Sequence, residues 1–309
     1  MAGRDGDIIT KVAGWLGLSR PPFHTVGILP FLLGTMFAWS LDNTFNINTF
    51  ALGVLGVSLV MLSTYQAGEY FSDGEDERSK RLFRHRLVGG AGVIPDRMRP
   101  RPMALWISLI AITLAVIIGF FLQFKLRTGP LTLLLGCIGA LPGVFYSTRL
   151  IRLAEEGFGE LFIGFCYGWL PIASGFYLQR GCIAPSIHWM ALPIGLSIFN
   201  VILLNEFPDR PADAPVGRTN LLIRLGKAKG MALYVLVSIL SWACMYVSLH
   251  AGIPRKALYL YLPVMALSAW ISLMMARRKY ENPLFLELLC GLNIAVYLGT
   301  TVAYMLALL

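Results

Sequence analysis

The chain has 309 residues, 56% hydrophobic and 14% charged, with a formal net charge of +9. That balance excludes an ordinary soluble domain and indicates an all-α polytopic membrane protein. It also argues against a nucleic-acid partner, because the basic residues sit in short loops between apolar runs, as they do on the cytosolic side of a bilayer.

Residues 1–19 carry Arg4, Asp5, Asp7 and Lys11 around an apolar stretch too short and broken for a signal peptide, so a cytosolic lead-in is expected there. A spanning helix needs about 20 apolar residues. Nine runs answer to this, at roughly 23–40, 48–71, 103–123, 130–147, 158–178, 187–206, 230–250, 257–276 and 284–306. Gly and Pro recur within them, as is usual where helices approach one another in lipid. Cys137, Cys166, Cys182, Cys244 and Cys290 form no C-x-x-C pair and read as small buried apolar residues. His24, His85, His188 and His250 show no metal-ligand spacing and read as structural or interfacial.

Loop charge gives the expected orientation. With the N-terminus in the cytosol and the nine spans alternating, the cytosolic segments hold 21 of the 26 Lys and Arg residues. Only Lys125, Arg127, Arg180, Arg255 and Lys256 fall on the other side. The positive-inside asymmetry therefore predicts N-in, C-out.

Two acidic clusters emerge on that same cytosolic side, each at the end of an even-numbered span. The first contains Glu69, Asp73 and Asp76 at i, i+4, i+7, one face of a helix. The second contains Glu206, Asp209 and Asp213 at i, i+3, i+7, with Asn205, Asp209 and Asp213 at i, i+4, i+8. Oxygen donors in this pattern suit a hard cation such as Mg2+. Pro208 and Pro211 predict that the helix kinks or ends within the second cluster. A basic, Gly-containing segment follows each cluster, carrying Arg78, Lys80, Arg84 and Arg86 in one and Arg218 and Arg224 in the other. Arg and Lys are natural partners of diphosphate oxygens, and Gly-rich backbone lets N–H groups approach an anion. Residues 72–102 and 207–229 are thus expected to be cytosolic cap loops on a single domain, 1–309. The layout reads as an internal repeat of two half-bundles.

The stretch from Leu204 to Gly226, L-N-E-F-P-D-R-P-A-D-A-P-V-G-R-T-N-L-L-I-R-L-G, resembles the second Asp-rich motif of the UbiA superfamily of intramembrane prenyltransferases. It is most similar to the menaquinone-type branch, which prenylates 1,4-dihydroxy-2-naphthoate. Arg20-Pro21-Pro22-Phe23-His24-Thr25, Gly89-Gly90-Ala91-Gly92-Val93-Ile94, Tyr146-Ser147 and Gly157-Phe158-Gly159-Glu160-Leu161 resemble further pieces of that branch.

The resemblance implies a nine-helix bundle around a central cavity and Mg2+-dependent transfer of an isoprenyl group from its diphosphate to an aromatic or quinone-precursor acceptor. It implies an integral protein of the plasma (inner) membrane, with the site facing the cytosol. Asp76, Asp209, Asp213 and Tyr146 are the expected catalytic residues, with Tyr70, Tyr146 or Trp169 offering an aromatic face to a carbocation. The first motif departs from the family's N-D-x-x-D-x-x-x-D. Gly68 stands at its Asn, Glu69 at its first Asp and Ser72 at its second, while Asp76 is retained. Asp73 or Glu75 stands nearby to substitute. The same layout leaves a membrane terpene cyclase, a non-catalytic homologue and a transporter as rival readings.

Overall fold

The computed structural model describes residues 21–71, 102–147, 159–213 and 219–309. Among these the chain forms nine long helices, and eight of them are long and apolar enough to cross a membrane. They are α1 (Pro21–Asp42), α2 (Ile47–Phe71), α3 (Pro102–Lys125, ending in a π-helical turn), α4 (Leu131–Ser147), α5 (Gly159–Arg180), α6 (Pro185–Asp213), α7 (Leu221–Ser248), α8 (Lys256–Ala276) and α9 (Pro283–Ala307). The ninth, α4, has 17 residues and is about 25 Å long. These boundaries match the nine apolar runs in number and order.

Contacts run in opposite directions along neighbouring helices, Ser63–Ser108 and Gly56–Ile118 between α2 and α3, Leu131–Tyr177 and Gly139–Leu170 between α4 and α5, and Asn200–Tyr234 and Pro193–Ser241 between α6 and α7, so the C-terminal ends of α2, α4 and α6 lie at one end of the bundle. The N-terminal ends of α1, α3, α5, α7 and α9 lie there too. We call this the acid end. Helices α2, α3 and α4 pack together at one side and α6 to α9 at the other. Between them lie α1 and α5, which pack extensively on each other, α5 also packing on α6 and α1 on α9. Helix α6 is the most enclosed span, 67% of its apolar window being buried against 22% for α2 and α3, whose outer faces are left for lipid.

The helix contacts rest on small residues and on prolines whose missing hydrogen bonds are replaced from elsewhere. A Cβ on Gly34 of α1 would lie 2.0 Å from the Ile172 carbonyl oxygen, and one on Gly175 of α5 would lie 2.1 Å from that of Phe31. The two backbones are thus in direct contact, which only glycine permits. Gly168 and Gly195 bring α5 equally close to α6, at 2.4 Å.

Pro30 lies inside α1 and deprives the Val26 carbonyl of its i+4 donor. Pro171 does the same to Tyr167 in α5. The fully buried Tyr297 hydroxyl of α9 reaches both oxygens, Val26 O and Tyr167 O, the latter at 3.0 Å. One proton thus serves two orphaned carbonyls on two helices.

Helix α6 does not end at the first of its prolines here: it continues as helix through Pro208 and Pro211 to Asp213. Pro208 frees the Leu204 carbonyl, and the buried Cys290 thiol of α9 donates to it at 3.8 Å. Packing against α7 and α9 holds the helix where propensity alone would end it. The expected loop at 207–229 is accordingly mostly helical, since α6 takes its first seven residues and α7 begins at Leu221. The cysteines also differ from expectation: Cys290 is buried, Cys166 and Cys244 are half-buried, and Cys137 and Cys182 are exposed.

Candidate active site at the acid end of the bundle

The last two turns of α6 carry Asn205, Glu206 and Asp209, and Asp213 is its final residue. Asn205 and Asp209 are half-buried, whereas Glu206 is only 8% exposed. Asp209 and Glu287 of α9 both stand within electrostatic reach of the Cys290 sulfur, so the acid end of α6 faces the start of α9. Nothing in the sequence had singled out Glu287.

The first four N–H groups of a helix have no partner within it. In α7 those of Leu221, Leu222 and Ile223 each find a side-chain acceptor, and the Arg224 N–H opens the regular i→i−4 ladder. Leu221 N donates to Glu160 Oε1 of α5 at 3.1 Å, and Leu222 N to Glu206 Oε2 of α6 at 3.0 Å. Ile223 N donates to the N-cap Asn220 Oδ1 at 2.9 Å, and Arg224 N to the Asn220 carbonyl at 3.1 Å. Two carboxylates from other helices thus sit on the positive end of the α7 dipole.

The first turn of α7 is set at an angle to the rest by Gly226, whose φ of 76° and ψ of 160° are open to glycine and scarcely to other residues. The turn folds back so that the fully buried Leu222 packs on Gly230, where a Cβ would lie 2.4 Å from Leu222 Cδ1. Phe207 of α6 packs in the same cluster. Arg224 remains exposed, its Nε donating to the Thr219 carbonyl at 2.8 Å.

These contacts involve two acidic residues already met in the sequence. Glu206, expected among the metal ligands, uses Oε2 to accept from the α7 backbone. Glu160 appeared in the sequence only as part of a resembling motif, yet it is 2% exposed and caps the same helix. The signal available for it was a lone carboxylate opening an apolar span, which is costly in a membrane unless it is partnered.

The remaining predicted residues divide by position. Glu69 lies in the last turn of α2, Tyr146 at the end of α4 and Asp213 at the end of α6; their backbones are placed and their side chains lie outside the described set. Asp73, Asp76, Arg78, Lys80, Arg84, Arg86 and Arg218 fall outside the described residues. Among the described residues no three His, Cys, Asp or Glu side chains group closely enough to hold a metal ion. The oxygens of Asn205 and Asp209 still fit Mg2+ in donor type, since that ion is usually bound through one or two carboxylates, its remaining positions filled by water and phosphate.

Trp169 is placed away from the acid end. Its Nε1 donates to Nδ1 of His188 at 2.9 Å and its ring stacks on Phe165. His188 stands near the start of α6, and the 21 residues from there to Asp209 span about 30 Å of helix. Trp169 is therefore no neighbour of the acidic residues. Tyr70, in the last turn of α2, and Tyr146, at the end of α4, do lie at the acid end, and further aromatic groups stand near it. Tyr65, one turn before Glu69 on α2, meets the His24 ring edge-on at 5.6 Å and hydrogen-bonds Tyr167. Tyr297 completes this group.

Comparison with known proteins agrees with this architecture. The profile of the UbiA prenyltransferase family matches residues 27–305. The chain is 25% identical over 209 residues to a 1,4-dihydroxy-2-naphthoate octaprenyltransferase of Bacillus subtilis (strain 168). That match covers 68% of this chain and 65%, just under two thirds, of the relative. A protein of the same name from Escherichia coli (strain K12) is 22% identical, with 77% of this chain and 76% of the relative covered. Among solved structures, a UbiA homolog from Archaeoglobus fulgidus bound to GPP and Mg2+ superposes with a TM-score of 0.65 at 15% identity, covering 94% of this chain and 99% of that one. A digeranylgeranylglyceryl phosphate synthase structure gives 0.69 at 16%, covering 96% and 98%.

Proposed function

Because the chain belongs to the UbiA prenyltransferase family, we propose that it transfers an isoprenyl group from a prenyl diphosphate to an aromatic, quinone-precursor acceptor of the dihydroxynaphthoate class. The observation that carries this reading is the shared position of the two acidic segments. The last turn of α2, which opens the first, and the end of α6, which bears the second, stand at one end of the bundle. Sequence similarity to naphthoate prenyltransferases supports the acceptor class.

The leaving group is a polyanion, so catalysis rests on neutralising charge as the allylic carbon–oxygen bond breaks and its electron pair departs with diphosphate. Asn205, Asp209 and Asp213, with Glu69, Asp73 and Asp76, are the proposed holders of Mg2+, which when bound neutralises the diphosphate oxygens. Arg224 is proposed to add a cationic contact from the cap, with Arg78, Lys80, Arg84, Arg86 and Arg218 in the same role. The apolar helices keep water from the electron-poor carbon until the acceptor ring attacks it and sheds a proton. The Tyr65 and Tyr167 rings offer that carbon a cation–π contact. The 21-to-5 loop charge supports a plasma-membrane protein with the acid end in the cytosol.

A test is incubation of the purified protein in lipid with Mg2+, a series of prenyl diphosphates and a panel of naphthoate and phenolic acceptors, read by mass spectrometry. Prenylated acceptor is expected. Diphosphate release without prenylated acceptor would instead favour a cyclase, the second reading motivated by Gly68 and Ser72 in the first motif. Absence of Mg2+-dependent diphosphate release for every donor would refute both.

A further inference from the structure

We propose that Glu160 and Glu206 are positioning residues that clamp the first turn of α7 and so hold Arg224 over the diphosphate site; this rests on the function proposed above. Three observations carry it. Both carboxylates are enclosed, at 2% and 8% exposure. Each accepts from a different backbone N–H of one turn, Leu221 and Leu222. That turn is separated from the body of α7 by the non-helical Gly226, so the long helix does not fix its direction. Gly226 alone would leave the turn free to pivot. Leu222 packed on Gly230 and the two carboxylates at its N-terminus remove that freedom.

The clamp has a chemical consequence. The amides of Leu221, Leu222 and Ile223 already have acceptors, so the N-terminus of α7 is not the anion-binding element of the cap. The contact of this turn with diphosphate comes from the side chain of Arg224, which projects from the clamped turn and is exposed. Glu160 lies on α5 and Glu206 on α6, so the clamp ties three helices together at the cap.

The assignment separates Glu206 from its metal-binding neighbours. A metal ligand and a clamp respond differently to the amide isostere, because Gln keeps an acceptor oxygen for the Leu222 amide and removes the charge that a metal needs. In Glu206→Gln the Mg2+ half-saturation is expected to stay within about twofold of the parent, whereas Asp209→Asn raises it about tenfold or more.

The direct readout needs no turnover. Amide hydrogen exchange of the segment 221–224, measured on the whole protein in lipid, is expected to accelerate about tenfold or more in Glu160→Ala and in Glu206→Ala. The acceleration should be only a few-fold in Glu160→Gln and Glu206→Gln. These Gln variants keep the shape of the side chain and carry the test should an Ala variant fail to fold. Unchanged exchange in every variant would overturn the clamp whatever the enzyme's reaction.

The functional half is a double-mutant cycle on the KM for prenyl diphosphate. Arg224→Ala and Glu206→Ala should each raise KM more than they lower kcat. The double variant should be no worse than the worse single one. Strictly additive effects would overturn the link to Arg224 while leaving the exchange result standing.

Discussion

Replacing Tyr297 with Phe tests the idea that this bundle tolerates its prolines through donors from neighbouring helices. The hydroxyl is fully buried and stands between Val26 O and Tyr167 O, each four residues before a proline. Removing it deletes no packing volume beyond one oxygen, so no cavity term enters. What remains is two carbonyls in a membrane interior with neither a backbone nor a side-chain donor for the α-helical bond. Leaving buried acceptors unsatisfied costs about 1–3 kcal/mol. Hydrogen bonds measured inside membrane bundles average lower, about 0.6 kcal/mol with a maximum near 1.7. Two oxygens share the one proton here, so we expect about 1–2 kcal/mol, roughly a 5- to 30-fold shift in the folded-to-unfolded ratio. Denaturant unfolding in mixed micelles reads this directly. The decisive arm is the same substitution in a Pro30→Ala background. There residue 30 regains an N–H for Val26 O, and Tyr297→Phe should cost about half as much. An equal cost in both backgrounds would show that the hydroxyl does not serve the carbonyl freed by Pro30.

Asp209→Ala should abolish Mg2+-dependent diphosphate release, a loss of about a thousandfold or more, while circular dichroism shows the helices intact; near-parental rates would remove Asp209 from the site. Gly175→Val should destabilise the protein by about 3 kcal/mol or more, because its Cβ would lie 2.1 Å from Phe31 O and two helix backbones must separate to admit it; a thermal-unfolding midpoint within a degree of the parent would contradict the close α1–α5 contact. Gly226→Ala has open space around the new methyl but an unfavourable backbone, so about 1–3 kcal/mol of strain should appear as lower thermal stability together with a raised KM for prenyl diphosphate.

The parts of this molecule that the sequence discloses are those written locally. A spanning helix is a run of apolar residues long enough to cross a bilayer. Among the described residues nine runs therefore correspond to nine long helices, and α2, α3, α8 and α9 begin and end within a few residues of their apolar stretches. The acid end of α6 was legible for the same reason, as oxygen donors at helical spacing. Helix termini governed by distant partners were not legible. Pro208 reads as a break until Cys290, 82 positions further along and on another helix, supplies a donor to Leu204 O. The start of α7 at Leu221 reads as loop because Arg218, Arg224, Lys227 and Lys229 surround Gly226 there, and the groups that stabilise it as helix are carboxylates 61 and 16 residues earlier.

The same reasoning bears on Glu206, whose Oε2 already accepts from the α7 backbone. Its spacing from Asp209 and Asp213 is that of a ligand, and spacing along one helix cannot distinguish an acid that faces a metal from one that faces the N-terminus of the next helix. The discriminating fact is the position of α7, which depends on the kink at Gly226 and on Leu222 reaching Gly230. In a family whose chemistry depends on acids at helix ends, a carboxylate within the motif is therefore best assigned by the N–H groups around it. Where such a group already donates to it at 3.0 Å, as Leu222 does to Glu206, charge at that position serves the scaffold, and Asn205, Asp209 and Asp213 are the residues we propose for the metal.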